Sequence, residues 1–147
     1  MRNFLLFLHI VGAAGWLGGG LYGFQTYAQI ARIGPPVAGD ALRELEKRGR
    51  MYFGLTSGLV LVTGVALVLT SDAFGWTDGF VLVGLGAFIL SGVIQALVGK
   101  KANERLTEAA TTGSGIEPAV RSWQFGSVWD LVILVVVVWA MVTKIGA

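Results

Sequence analysis

The sequence alternates between long apolar runs and short polar segments. Four of the runs are long enough to cross a bilayer, because a helix needs about 20 mostly apolar residues to span a hydrocarbon core of roughly 30 Å. Such runs fold as helices in lipid, since a helix satisfies its own backbone hydrogen bonds. The pattern predicts an all-α, polytopic membrane protein, a four-transmembrane-helix bundle with helices at about 4–31, 40–70, 79–110 and 123–144.

Glycine and proline mark the connections between the predicted helices. Gly34-Pro35-Pro36 ends the first helix, since proline lacks an amide hydrogen and disfavours helical backbone in the residue before it. The third helix extends beyond its apolar part to about Ala110, and the chain then loosens over residues 111–115. We expect residues 1–147 to form a single transmembrane domain.

Composition agrees with this architecture and excludes several other classes of protein. Hydrophobic types make up 54% of the 147 residues and charged types 14%, and the mean hydropathy is +0.71. Soluble domains carry charge on about a quarter of their residues, and disordered chains are less apolar still, so both classes are excluded. The absence of cysteine excludes disulfide scaffolds, thiolate zinc sites, iron–sulfur clusters and cysteine nucleophiles.

Basic residues concentrate on one side of the predicted bundle. Of the 11 Lys and Arg residues, only Arg2 and Lys144 lie outside the segments 32–50 and 100–121, which hold the other nine. The positive-inside rule places these segments in the cytoplasm and both termini outside, in a bacterial cytoplasmic (inner) membrane crossed several times. Acidic residues are mixed with the basic ones, as on a solvated face. The lipid bilayer is therefore an expected partner and nucleic acid is not.

The only histidine lies inside the first apolar run. Helical spacing from His9 places small residues and one tryptophan on the same stripe, namely Gly12, Trp16, Gly19 or Gly20, and Gly23. Small residues let membrane helices approach closely, so this face is expected to point toward the bundle or a partner subunit. An ionisable residue within the membrane also indicates a functional site.

Two interpretations of this histidine follow from the residues alone. In the structural one, the neutral imidazole of His9 bonds a carbonyl oxygen or a hydroxyl such as that of Thr70 or Ser71. In the functional one, His9 is an axial ligand to the iron of haem b or a related tetrapyrrole, because imidazole nitrogen is a standard haem ligand.

A haem pocket around His9 would use further residues of the bundle. Glycines on the stripe leave room for a flat macrocycle, so Gly12 and Trp16 are expected to line the pocket. The second axial ligand is either Met141, at a comparable depth on the last helix, or the His9 of a second subunit. No residues indicate hydrolytic catalysis, and whether the protein is an enzyme is left open.

Other polar residues within the runs give weaker signals. Gln95 lies on the third helix with Ser91, on a face suited to interhelical hydrogen bonds. Asp130 lies near the predicted cytoplasmic end of the last helix, where Arg50 and Arg121 are available as partners. Charge inside lipid is retained mainly when it is paired, so an ion pair at the membrane rim is expected there.

Several motifs resemble small bacterial membrane families. They are LHIVGAAGWLGG at 8–19, EKRGRMY at 46–52, WDL at 129–131 and WAMVTK at 139–144. The likeness spans most of the chain and is closest to an uncharacterised family of predicted integral membrane proteins. Copper-resistance D-type proteins and HemJ-type protoporphyrinogen oxidases are similar at a greater distance. The resemblance to the oxidases implies a first-helix histidine that ligates haem, a role that would map onto His9.

Two departures limit what the more distant resemblances imply. The oxidase pattern has a basic residue at the start of its third helix, whereas residues 78–81 contain none. Copper handling would require several soft or imidazole ligands, and this chain has one histidine and three methionines, including Met1.

The leading functional expectation is therefore a haem-binding or redox-associated membrane protein that uses His9. Two alternatives stay open, a non-enzymatic accessory subunit or scaffold of a membrane complex, and a small-solute transporter without an evident coupling residue. In each case we expect a homo-oligomer or a larger membrane complex, associating through glycine-rich faces.

Overall fold

Six helical elements make up most of the computed structural model, which describes residues 1–35, 37–71 and 75–144. In chain order they are α1 Arg2–Ala31, α2 Val37–Leu69, α3 Gly79–Ile94, a π-helical turn Gln95–Gly99, α4 Lys100–Thr112 and α5 Ile116–Thr143. No β-strand occurs among the described residues, which confirms the all-α prediction. Pro36, which is part of the predicted end of the first helix, lies outside the described residues.

The bundle prediction is also confirmed. α3, the π-helical turn and α4 form one continuous helical segment, Gly79–Thr112, and the described part of the chain thus has four helices long and apolar enough to cross a membrane. The shortest contains 28 residues, which is about 42 Å of helix at 1.5 Å per residue and exceeds the roughly 30 Å core. We call the end that carries Arg2 and Lys144 the terminal end, and the opposite one the basic end.

The last helix begins earlier than its apolar pattern predicts, at Ile116 rather than near Trp123. Gly113 and Gly115 have φ angles of 74° and 68°, a left-handed backbone that glycine adopts without steric cost. Pro118 lies in the first turn of α5, where backbone amides have no intrahelical partner, so it is compatible with the helix start. Glu117, Pro118 and Arg121 interrupt the apolar residues of its first two turns, which explains why an uninterrupted apolar run does not reveal them.

The helices are packed unevenly. α1 packs against both α2 and α5, and α5 packs against α3. Within these described helices, no Cα atom of α2 lies within 8 Å of a Cα atom of α3. α4 packs against α2 and α5 at the basic end. The membrane part of the bundle is therefore open between α2 and α3.

The most tightly packed core lies at the basic end. Its buried residues come from α1, α2, α4 and α5, and they are Ala28, Ala31, Ala38, Leu42, Leu106, Ala110 and Val120. The rings of Tyr27 and Trp123 stack beside this core, with their centroids 4.7 Å apart. This core holds the four elements together at the basic end.

Candidate functional site

Phe88 of α3 lines two neighbouring cavities among the described residues, one toward each end of the bundle. The terminal-end cavity has a volume of about 280 Å³, and the basic-end cavity has a volume of about 570 Å³. Trp16 lines the basic-end cavity and meets Phe88 edge to face, with the ring centroids 5.8 Å apart. The Phe88 ring thus stands between the two cavities.

His9 lines the terminal-end cavity and is fixed by α2. Its Nδ1 atom lies 3.0 Å from the backbone oxygen of Val60 and 3.1 Å from Oγ1 of Thr63. A carbonyl oxygen only accepts hydrogen bonds, so Nδ1 carries the hydrogen and Nε2 keeps its lone pair. None of the described residues hydrogen-bonds Nε2. Histidines that bind metals are held in this way, with one ring nitrogen donating to a carbonyl and the other free to ligate.

The bond to a carbonyl oxygen, which is one of the two kinds expected from the sequence, is present at Val60. The hydroxyl differs from those expected, because it belongs to Thr63, whereas Thr70 and Ser71 lie just beyond the end of α2. A close approach of the helices explains the difference, because a methyl group on Gly64 would lie 3.1 Å from Cε1 of His9. The absence of a side chain at this position lets the imidazole rest on the backbone of α2.

The terminal-end cavity combines apolar walls with two cations. Met141 lines it, and a methyl group on Gly84 would lie 2.8 Å from Cε of Met141, so the thioether packs on the backbone of α3. Arg2 and Lys144, the two basic residues absent from the basic end, also line this cavity. The cavity thus offers an imidazole nitrogen, a thioether and two positive charges to one ligand.

The other two residues predicted for the haem pocket lie elsewhere. Gly12 is buried against α2, where a methyl group on it would lie 2.9 Å from Cγ2 of Val60. Its role is close helix packing, and it leaves no space for a ligand. Trp16 lies on the far side of Phe88, in the basic-end cavity. The structure therefore brings His9 and Met141 to one cavity and separates Gly12 and Trp16 from them.

Comparison with known protein families matches residues 3–145 to the family described as "Predicted integral membrane protein (DUF2269)". The chain belongs to this family. No curated protein and no solved structure matches it. Membership confirms the resemblance to an uncharacterised family of integral membrane proteins, whereas the more distant likeness to copper-resistance D-type and HemJ-type proteins stays a prediction.

A polar cluster in this DUF2269 protein lies beside the basic-end cavity. The hydroxyl of Ser91 donates to Oδ1 of Asp130, and the amide nitrogen of Gln95 donates to Oδ2 at 3.3 Å. Among the described residues no basic side chain lies within 4.0 Å of this carboxylate, although an arginine partner was expected. Arg50 instead pairs with Glu46 on its own helix, at 3.0 Å. Periodicity placed Ser91 and Gln95 on one face but did not show that the face meets α5.

The π-helical turn shapes this cluster. It begins at Gln95 and ends at Gly99, and such wide turns inside α-helices occur frequently at functional sites. The side-chain oxygen of Gln95 occupies the space that a methyl group on Gly99 would need. Glycine at this position therefore lets the Gln95 amide turn its nitrogen toward Asp130. The apolar pattern of the third helix contains no signal for this turn.

Charged side chains at the basic end of the DUF2269 protein form exposed pairs. Arg32, which follows α1, binds both carboxylate oxygens of Glu117 on α5, at 2.7 and 3.1 Å. The hydrogen bond and the negative charge of Glu117 raise the pKa of the Arg32 guanidinium. No group of three or more His, Asp or Glu side chains in the described residues is arranged to hold a metal ion.

Proposed function

We propose that this protein binds an amphipathic, carboxylate-bearing ligand of the haem b type in the terminal-end cavity and has a redox-associated role. The observation that carries the proposal is the hydrogen bond from His9 Nδ1 to the Val60 oxygen, 3.0 Å long. It leaves Nε2 as a lone-pair donor in a cavity with mainly apolar walls. A tetrapyrrole brings the other metal ligands with it, which suits a chain that offers no metal-binding cluster among its described residues.

Four side chains of the terminal-end cavity fit such a ligand. Nε2 of His9 and the thioether of Met141 would hold the iron of such a ligand. Arg2 and Lys144 supply positive charge for the carboxylates, since charge-assisted hydrogen bonds to carboxylates are among the strongest in proteins. A haem held there supplies one-electron chemistry at its iron.

The size of the cavity defines how the ligand is held. Its 280 Å³ is slightly below the roughly 300–1,000 Å³ of pockets that enclose drug-sized molecules. The cavity would therefore hold part of such a ligand, and the separation of α2 from α3 would leave a path to it from the bilayer. This arrangement favours a ligand that enters from the bilayer.

Visible spectroscopy tests the proposal. The protein is purified in detergent, haemin is added, and spectra are recorded in the oxidised and reduced states. We expect a Soret band that is lost in His9→Ala and weakened in Arg2→Gln and Lys144→Gln. Lys101→Gln, at the basic end, is the matched control and leaves the band unchanged. A preparation that retains no haem after free haemin is removed by gel filtration contradicts the proposal.

We further propose that the protein lies in a bacterial cytoplasmic membrane with both termini outside. Support comes from the nine Lys and Arg residues at the basic end, compared with Arg2 and Lys144 at the other. A protease-sensitive tag inserted after Ser114, in the exposed link between α4 and α5 at the basic end, should be cleaved only after the cells are opened. Cleavage in intact spheroplasts would reverse the orientation. Association with a second copy or with a larger membrane complex stays a prediction, which native mass spectrometry tests.

A further inference from the structure

We propose that the basic-end cavity is a second binding site, which takes a small organic ammonium ion with Asp130 as its counter-ion. The proposal does not depend on haem binding, because it concerns the other side of Phe88. It rests on three features of the cavity, namely its open volume, an unbalanced carboxylate and aromatic walls.

The volume of this cavity results from missing side chains. At about 570 Å³, it falls within the roughly 300–1,000 Å³ typical of small-molecule sites. Gly54 of α2, Gly92 of α3 and Gly126 of α5 line it, and no heavy atom lies within 4 Å of the position that a Cβ atom would take on any of them. Three helices thus present bare backbone to the same space.

Asp130 introduces a negative charge within the membrane. It precedes Thr143, the last residue of α5, by 13 positions, which is about 20 Å of helix and places it inside the apolar core. Ser91 and Gln95 donate hydrogen bonds to it but bring no positive charge. A carboxylate at this depth is costly without a counter-charge, so the cluster favours a cation.

The basic side chains that line the cavity already have acidic partners. Arg50 pairs with Glu46 at 3.0 Å, and Lys100 pairs with Glu104 at 3.9 Å. Glu46 also lines the cavity. The balance of charge around the space therefore leaves the carboxylate of Asp130 as the group in need of a positive partner.

Aromatic walls select the kind of cation. Trp16, Phe53, Phe88 and Trp123 come from α1, α2, α3 and α5, and all four line the cavity. Aromatic faces attract organic ammonium groups, and this attraction is strengthened where water is excluded. A strongly hydrated metal ion would instead need several oxygen ligands, and the described residues include no cluster of three acidic or histidine side chains. The site therefore fits an ammonium group attached to an apolar body.

Calorimetric titration of the purified protein with benzylammonium tests the proposal, with benzyl alcohol as a neutral probe of similar shape. We expect benzylammonium to bind, benzyl alcohol to bind at least tenfold more weakly, and Asp130→Asn to remove this preference. Asparagine retains the shape of the side chain and removes only its charge. The proposal is overturned if the two probes bind equally or if neither binds. It is also overturned if Asp130→Asn keeps the preference for benzylammonium.

Cavity-filling variants provide a second test that does not alter Asp130. Gly126→Leu and Gly92→Leu place a side chain in the open space and should abolish benzylammonium binding. Gly86→Leu is the matched control, because Gly86 also faces open space but lies outside both cavities. Binding that survives both filling variants, or is lost equally in the control, overturns the assignment of the site to this cavity. Competition by Na⁺ at equal concentration overturns the assignment of an organic cation.

Discussion

The terminal-end and basic-end cavities share one wall, the ring of Phe88, and differ in the chemistry of the others. The terminal-end cavity presents an imidazole and two positive charges, which suit an acidic, lipid-soluble ligand. The basic-end cavity is twice as large and presents a carboxylate among aromatic rings, which suits a cation. The end of the molecule with more basic residues thus has the cavity that attracts positive charge.

Pairing of charges explains this contrast. The two basic residues that line the basic-end cavity are matched by glutamates of the same helical segments, in the pairs Arg50–Glu46 and Lys100–Glu104. Arg2 and Lys144, which line the terminal-end cavity, have no acidic side chain within 4.0 Å among the described residues. The charge of the ligand that a cavity favours thus depends on which of its lining side chains lack a partner of opposite charge. The net charge of that end of the molecule does not decide the charge of the ligand.

The largest expected effect is a separation of the two sites by single substitutions. His9→Ala should weaken haemin binding at least about 100-fold, because loss of a group that merely supports a metal ligand already costs 10–100-fold. The same variant should bind benzylammonium as the unaltered protein does. Asp130→Asn should bind benzylammonium more weakly and haemin as the unaltered protein does. Spectroscopic and calorimetric titrations measure the two affinities. A variant that lowers both affinities equally would contradict the independence of the cavities.

Next in size is the cost of filling a packed glycine on α1. Gly12→Leu should destabilise the protein by about 1–3 kcal/mol, because the added atoms enter the contact between Gly12 and Val60. Gly18→Leu is the matched control, since no heavy atom lies within 4 Å of the space a Cβ would occupy there. Denaturant titration in detergent measures the free energy of unfolding of both variants. Equal stability of the two variants would mean that Gly12 does not serve packing.

A smaller effect is expected from the hydroxyl beside the imidazole. Thr63→Val removes the 3.1 Å contact with Nδ1 and keeps the bond to Val60, so haemin affinity should fall about tenfold, the lower limit for groups that orient a metal ligand. Thr56→Val is the control, because its hydroxyl donates to backbone oxygens of its own helix. An unchanged affinity in Thr63→Val would leave the Val60 oxygen as the group that orients the ring.

The smallest effect is expected at the exposed pair between α1 and α5. Arg32 and Glu117 are 49% and 68% exposed in their side chains, and exposed pairs contribute little because water and salt screen them. Glu117→Gln should leave the thermal unfolding midpoint unchanged within experimental error. A clear fall would show that this contact helps the buried core hold the basic end together.

Much of the fold follows from the sequence, and much of the site does not. Run length alone predicts the four crossing helices, and the distribution of Lys and Arg identifies the basic end. Which helix faces which is a property of tertiary packing, so periodicity could not show that His9 meets Val60 or that Ser91 meets Asp130. The π-helical turn depends on one local hydrogen-bond shift and has no hydrophobic signature. Glu117, Pro118 and Arg121 interrupt the apolar pattern in the first turns of α5, so hydropathy does not show where this helix begins.

The shared wall has a thermodynamic consequence. Any occupant that displaces the Phe88 ring changes the volume available to the other ligand, so the two binding equilibria become linked. Linkage is reciprocal, since the factor by which one ligand changes the affinity of the second equals the factor by which the second changes the affinity of the first. Titrations of each ligand in the presence of the other would therefore yield one coupling free energy, which is zero if the Phe88 ring stays fixed and differs from zero if one ligand displaces it.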